Sequence, residues 1–164
     1  MAQGYLAQVQ ALIDQKMKEN PEEMKRKLKE IEEAKNAPKL TRELIEELDK
    51  RSGLDIQKVK DLIKRGADIK AKNKYEDTVL HQASWFGDME LSKECLQAGI
   101  DVDAKNKYGS TPLHYVVYWD RIEMAKFLID SGADVNSKDR DGDTPLYWAN
   151  SEEMEDLLIK HGAK

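Results

Sequence analysis

Along the 164-residue chain, apolar positions recur at helical spacing from one end to the other. Tyr5, Leu6, Val9, Leu12, Ile13 and Met17 fall on one helical face, and beyond "ENPEE" a narrower stripe runs through Met24, Leu28 and Ile31. Asn20 and Pro21 supply a cap and a first-turn proline between the two, Glu22 to Arg26 and Glu23 to Lys27 are well-oriented ion pairs, and Pro38 is predicted to close the second helix. The expected product is a helical hairpin over residues 1–38. Downstream the helices shorten. Leu44 and Leu48 predict one short helix and Ile56, Val59, Leu62 and Ile63 another, joined by a turn at "RSGLD"; Leu80 and Ala83, then Leu91, Cys95 and Leu96, predict the next pair.

The short pairs keep a fixed step. Gly66, Gly99 and Gly132 are spaced by 33, as are Thr78, Thr111 and Thr144, Leu80, Leu113 and Leu146, and Asp68, Asp101 and Asp134; "AKNKY" occurs verbatim at residues 71–75 and 104–108. A threonine at a helix start accepts from an orphan backbone N–H, and Pro112 and Pro145 sit where a helix best tolerates proline. Gly99 and Gly132 follow apolar segments that a left-handed residue would end. One such helix pair cannot bury its apolar face alone, whereas stacked pairs share a continuous core. From Gly132 to Gly162 the step is 30, so the final unit lacks three residues near Asn150 and Ser151. Ser151 ahead of Glu152 and Glu153 reads as the start of its last helix. With Glu155 and Lys160 outward, that unit has the polar face a C-terminal cap needs.

Through "STPLHYVV", "DTPLYWAN", "SGADVNSKD" and "KRGADIKAK" the chain resembles the ankyrin-repeat family over about residues 41–164. The resemblance implies an all-α solenoid of stacked helix pairs with β-turn tips, occupying residues 39–164 behind the N-terminal hairpin. Its units are a divergent first repeat (41–72), full repeats (73–105 and 106–138) and a shortened last one (139–164). Val79, Glu76, Asp120 and Val116 depart from the family's proline, turn glycine, inter-helix glycine and small alanine. His81 and His114 correspond to the family's turn-bracing histidine, and Tyr147 stands in their place in the last unit. Family members generally bind other proteins on the concave surface formed by turn tips and first helices. Carried over by position, that surface holds Tyr75, Asp77, Tyr108, Ser110 and Arg140 at the tips. Trp85, Phe86, Tyr118 and Trp119 end the first helices, and Trp148 sits earlier on the last one. Tryptophan between stacked helices is also well placed for burial, so a packing reading stands beside the interface one, more so for Trp148 and Tyr115; Tyr75 and Tyr108 could equally brace the turns.

Composition narrows the function. Hydrophobic residues make up 40% and charged residues 36%, a balance that suits a water-exposed helical protein and offers no apolar run long enough for a bilayer. The start "MAQGYLAQVQALIDQK" predicts no signal peptide, and a lone Cys95 in an apolar helical row predicts a reduced, cytoplasmic setting. Residues 73–164 hold 10 Lys or Arg against 18 Asp or Glu, a net −8. That is a poor footprint for nucleic acid and favours a basic protein partner. With no Gly-rich phosphate loop, no nucleophile with a base partner and no metal-ligand cluster, the chain is predicted to be non-catalytic, without cofactor or metal. The expectation is a monomeric protein-binding module, acting as inhibitor, immunity protein, effector or scaffold, with the hairpin covering the open end of the stack. The alternative is a structural protein that oligomerises through residues 1–38.

Overall fold

The computed structural model describes residues 2–50 and 53–164, with residues 2–9, 12 and 33 described by their backbone alone. The expected stripe through Tyr5, Leu6, Val9 and Leu12 therefore lies outside the described side chains. Among the described residues the chain forms eight α-helices and one 3-10 turn. They are α1 (Ala2–Glu19), α2 (Pro21–Leu48), α3 (Ile56–Lys64), α4 (Val79–Phe86), α5 (Met89–Gln97), α6 (Pro112–Tyr118), α7 (Ile122–Asp130) and α8 (Glu152–Lys160). The 3-10 turn spans Pro145–Trp148.

The break between α1 and α2 falls at Asn20, whose side chain accepts from the Glu23 N–H at 3.3 Å ahead of Pro21. Glu23 pairs with Lys27 at 2.7 Å, while Glu22 turns to Lys25 rather than to Arg26. Pro38 does not end the helix: α2 runs through it for ten more residues. An interior proline removes one backbone hydrogen bond and crowds the preceding turn, at about 3 kcal/mol. Here the residues beyond it outweigh that loss. Leu40, Leu44 and Leu48 are buried against the repeats, and each fully buried leucine contributes about 1.5–3 kcal/mol. The second helix of the expected hairpin and the first helix of the first repeat are thus one continuous rod, α2, with Leu28 and Ile31 exposed on its N-terminal half.

The remaining helices stack as pairs around one elongated core. Val59 and Leu62 of α3, Leu80 and Ala83 of α4, Leu91 and Cys95 of α5, and Leu113 and Val116 of α6 are buried in it. It continues through Met124 and Leu128 of α7 to Met154 and Leu158 of α8. Thr78 caps α4 and Asp88 caps α5. Among the described residues two non-glycine residues occupy the left-handed region, Glu76 (φ 64°) at the first tip and Asp120 (φ 53°) between α6 and α7, where aspartate is tolerated at modest cost. The three-residue deficit in the last unit falls on its first helix, which is reduced to the 3-10 turn. Ser151 then caps α8 by accepting from the Met154 N–H at 3.2 Å. Glu155 and Lys160 are exposed on the outer side of α8, while Met154 and Leu158 close the core.

Candidate functional site

Each turn tip is organised by one side chain at the same repeat position. Asn73 Oδ1 accepts from the backbone N–H groups of Tyr75 and Asp77, both at 2.9 Å. Asn106 does the same for Tyr108 and Ser110, and Asp139 for Asp141 and Asp143. Adjacent tips are tied by Lys107 N–H to Tyr75 O at 2.8 Å and Arg140 N–H to Tyr108 O at 3.0 Å. From below, His81 Nδ1 accepts from the Thr78 N–H at 3.1 Å, which leaves Nε2 protonated to donate to the Ser110 carbonyl at 3.1 Å. His114 repeats the arrangement with Thr111 and the Asp143 carbonyl. Burial pushes the pKa of both imidazoles below the ordinary histidine value, which favours the neutral form these bonds require. The two histidines lock consecutive tips at a fixed spacing, the bracing role expected of them.

Between the tips and the first helices runs a groove of about 610 Å³. Its wall is a ladder of rings. Trp85 and Trp119 are stacked at 6.0 Å between centroids and 17° between planes. Tyr118 meets Trp119 edge-on at 5.3 Å and Trp148 at 5.9 Å, and Phe86 and Tyr147 extend the two ends. Tyr75 and Tyr108 stack at 6.4 Å along the tips. The ladder is held at its far end by Asn150 Nδ2, which donates to the Tyr118 carbonyl at 3.1 Å, and by the Ser151 hydroxyl on Asp120. Tyr118 and Trp119 remain about half exposed, at 51% and 50%.

The expected surface residues divide accordingly. Trp85, Tyr118, Trp119 and Trp148 line the groove together with Tyr75, Tyr108 and Ser110. Phe86 and Arg140 do not; Phe86 packs on the outer end of the ladder, and Arg140 is exposed at its tip while only its backbone joins the turns. Asp77, expected at an exposed tip, is 5% exposed and forms part of the groove floor. Its Oδ1 accepts from Asn106 Nδ2 at 2.8 Å and from the Tyr115 hydroxyl at 3.0 Å, and Asn73 reaches its Oδ2 at 3.3 Å. Burial, with Asp77 adjacent, pushes the Tyr115 phenol well above its ordinary value. Tyr115 is therefore a strut between repeats as well as a lining residue. Asp141, which the resemblance places at the last turn tip beside Arg140, also lines the groove, as do Gln82 and Asp139, for which the sequence offered no signal beyond their phase with Tyr115 and Asn106.

Charge is distributed unevenly along the groove. Lys50 lies at one end, drawn to Glu47 at 2.8 Å, and Asp139 and Asp141 lie toward the other. Glu47 is itself buried at the α2–α3 junction, where it also accepts from the Asp55 N–H at 3.0 Å and pairs with Lys58 at 2.9 Å. Among the described residues, no group of three or more His, Cys, Asp or Glu side chains is arranged to hold a metal ion, and no helix is long and apolar enough to cross a membrane.

A family model of ankyrin repeats, in three copies, matches residues 47–139, more than half of the chain. No curated protein matches the sequence. Ankyrin repeats generally mediate protein–protein interaction, and the groove described above is lined by residues of the matched units except for Asp141 and Trp148, which lie beyond residue 139. From its 33-residue phase, its histidine-braced tips and the family match, the chain belongs to the ankyrin-repeat family.

Proposed function

We propose that the chain is a non-catalytic, monomeric protein-binding module whose groove takes a segment of a basic protein partner, with Trp85, Tyr118, Trp119 and Trp148 as anchors. The observation that carries this reading is the aromatic ladder along the groove. Large rigid rings bind at low entropic cost and dominate interface energetics. A tryptophan kept only for packing would be covered, whereas Trp119 presents half its surface to solvent. The net −8 of residues 73–164 supports a basic partner and counts against nucleic acid. Inhibitor, immunity, effector and scaffold roles all use the same groove. The test is a titration of a partner, captured on the immobilised chain and identified by mass spectrometry, against wild type, Trp85→Ala and Trp119→Ala. A hot-spot tryptophan should cost at least about thirtyfold in affinity, with stability changed by about 0.5 kcal/mol or less. Unchanged affinity in both variants would move the interface elsewhere.

A second reading is favoured by Leu28 and Ile31, exposed at 38% and 54% on the N-terminal half of α2. In it, the rod joins two chains through this stripe and carries the repeats as arms. Sedimentation at micromolar concentration separates the two readings, since a monomer removes the second. A dimer dissociated by Ile31→Glu would establish it.

A further inference from the structure

Two rows of rings line the groove. On the tip side Tyr75 and Tyr108 stack at 6.4 Å, and on the helix side Trp85 and Trp119 continue through Tyr118 to Trp148. Tyr108, Tyr118 and Trp119 are about half exposed. The floor between the rows is closed, because Asp77 and Asn106 are buried and bonded to each other, and the Tyr115 hydroxyl donates to Asp77. A bound segment therefore meets ring surface first. The indole N–H groups of Trp85 and Trp148 make no hydrogen bond among the described residues and keep access to water, so each can still donate.

The shape and chemistry of the groove decide between the ways in which a protein segment can dock. Strand addition needs an open sheet edge. Among the described residues there is no strand beyond the single bridge of Lys72 with Thr78, and the tips spend backbone groups on each other, Lys107 N–H on Tyr75 O and Arg140 N–H on Tyr108 O. An amphipathic helix needs anchors over two turns. A helix with its side chains is about 10–12 Å across, so a groove of about 610 Å³ holds little more than one turn of it. An acidic or phosphorylated segment needs unpaired cations, whereas Asp139 and Asp141 are on the lining and Lys50 is drawn to Glu47. What remains is the polyproline II helix, which is recognised by aromatic grooves, is ordered before it binds, and has no internal hydrogen bonds, so that its carbonyls are open to a donor. Charge sets the rest of the segment. Asp141 is exposed, and its carboxylate makes no hydrogen bond or ion pair among the described residues.

We propose that the groove receives a proline-rich segment of its protein partner in the polyproline II conformation, its prolines lying on the two rows of rings and a basic residue beyond them facing Asp141. This rests on the protein-binding reading above. The prolines lie along the ladder and not within it, because two ring contacts need about 7 Å and Trp85 and Trp119 are 6.0 Å apart.

All three tryptophans of the chain line the groove, so intrinsic fluorescence reports its occupancy. The full chain is titrated in about 0.15 M salt with hexaproline followed by a lysine pair, with a glycine–serine hexamer followed by the same pair, and with an amphipathic helical peptide of the same charge. The proline peptide should give a saturable change and bind at least about tenfold more tightly than either of the others, because its conformation is set before it binds. Trp119→Ala should weaken it by at least about tenfold, read on Trp85 and Trp148. Tyr108→Ala removes a half-exposed ring from the opposite row and should weaken it about fivefold, so the outcome does not hang on the folding of one variant. Asp141→Asn should weaken it about two- to fivefold, and less at about 0.5 M salt. Equal affinities for the proline and glycine–serine peptides, tighter binding of the helical peptide, a proline affinity unaltered in both ring variants, or no fluorescence change up to millimolar proline peptide would each overturn the proposal. The partner titration separates the two levels of failure. A partner that loses affinity in Trp119→Ala but is not displaced by the proline peptide removes the polyproline segment and keeps the groove, whereas affinity unchanged in both tryptophan variants removes the groove itself.

Discussion

Replacing Glu47 with glutamine tests how the first repeat is fastened to the rod. Taking the carboxylate out of water would by itself raise its pKa, but the hydrogen bonds from Lys50, the Asp55 N–H and Lys58 outweigh burial and hold it down to about 2, from an ordinary 4.5. At about 1.36 kcal/mol per pKa unit that difference corresponds to about 3 kcal/mol of stability at neutral pH. Lys50 and Lys58 are themselves about half exposed, and solvent screening brings the working figure to about 2 kcal/mol. The folded pKa is depressed, so the contribution is complete above pH 4.5, falls as the pH drops toward 2, and is absent below that. Urea denaturation of wild type and Glu47→Gln at pH 7 should show the variant less stable by about 2 kcal/mol. At pH 3 the gap should close by about half, because the wild-type unfolded chain takes up a proton that the variant has no site for. A gap that is the same at both pH values, or absent at pH 7, would refute the assignment. The change also bears on the groove, since it releases Lys50, which lines one end of it.

Two further perturbations probe the stack. Burial pushes the Cys95 thiol up to about 12, so the native chain should resist iodoacetamide at pH 8 and become alkylated only when urea unfolds it, as mass spectrometry of quenched samples would show. Gly109 has φ +78° and an added Cβ would lie 2.8 Å from the Arg140 backbone nitrogen; Gly109→Ala should therefore cost about 1–3 kcal/mol in urea denaturation, and a neutral result would mean that the tips are not held together as described.

Where a residue repeats in phase, its role could be read from the sequence, because the same local geometry recurs with it. The threonines at which the first helices begin, the glycines that end second helices and the histidine braces are of this kind, although Thr144, ahead of the 3-10 turn, makes no side-chain cap bond such as that of Thr78. Pro38 misled because its local signal, a helix stop, was set against tertiary burial of Leu40, Leu44 and Leu48 on residues of other parts of the chain. The shortened last unit was legible as a deficit of three residues, but not its consequence, a single 3-10 turn in place of a helix. The groove floor was least legible. Asp77, Asn106 and Tyr115 are 29 and 38 residues apart in the contacts they make, so no local window contains them. Periodicity identified the face on which Asp77 lies without revealing that the next repeat covers it. Phe86 and Arg140 failed as lining residues for the converse reason: each occupies a correct repeat position whose side chain the neighbouring repeat does not enclose.

The residues that build the scaffold recur with little change, whereas several that line the groove change type from one repeat to the next, and this has a consequence for what can bind. Position 82 of the second repeat carries an amide, its counterpart 115 a phenol and 148 an indole. The tip position at 75, 108 and 141 changes from tyrosine to tyrosine to aspartate. A groove lined by identical residues in every unit would accept a segment in several registers and in either direction, because each displacement by one repeat would restore the same contacts. Here a one-repeat shift would set a group placed against the Gln82 amide onto the Tyr115 phenol, whose hydroxyl is already donating to Asp77. For the basic segment proposed above, reversal would take a cation facing Asp141 to the end where Lys50 stands. Each alternative meets a different side chain or opposes like charges, so the irregular residues distinguish register and direction while the regular ones keep the spacing over which both are measured.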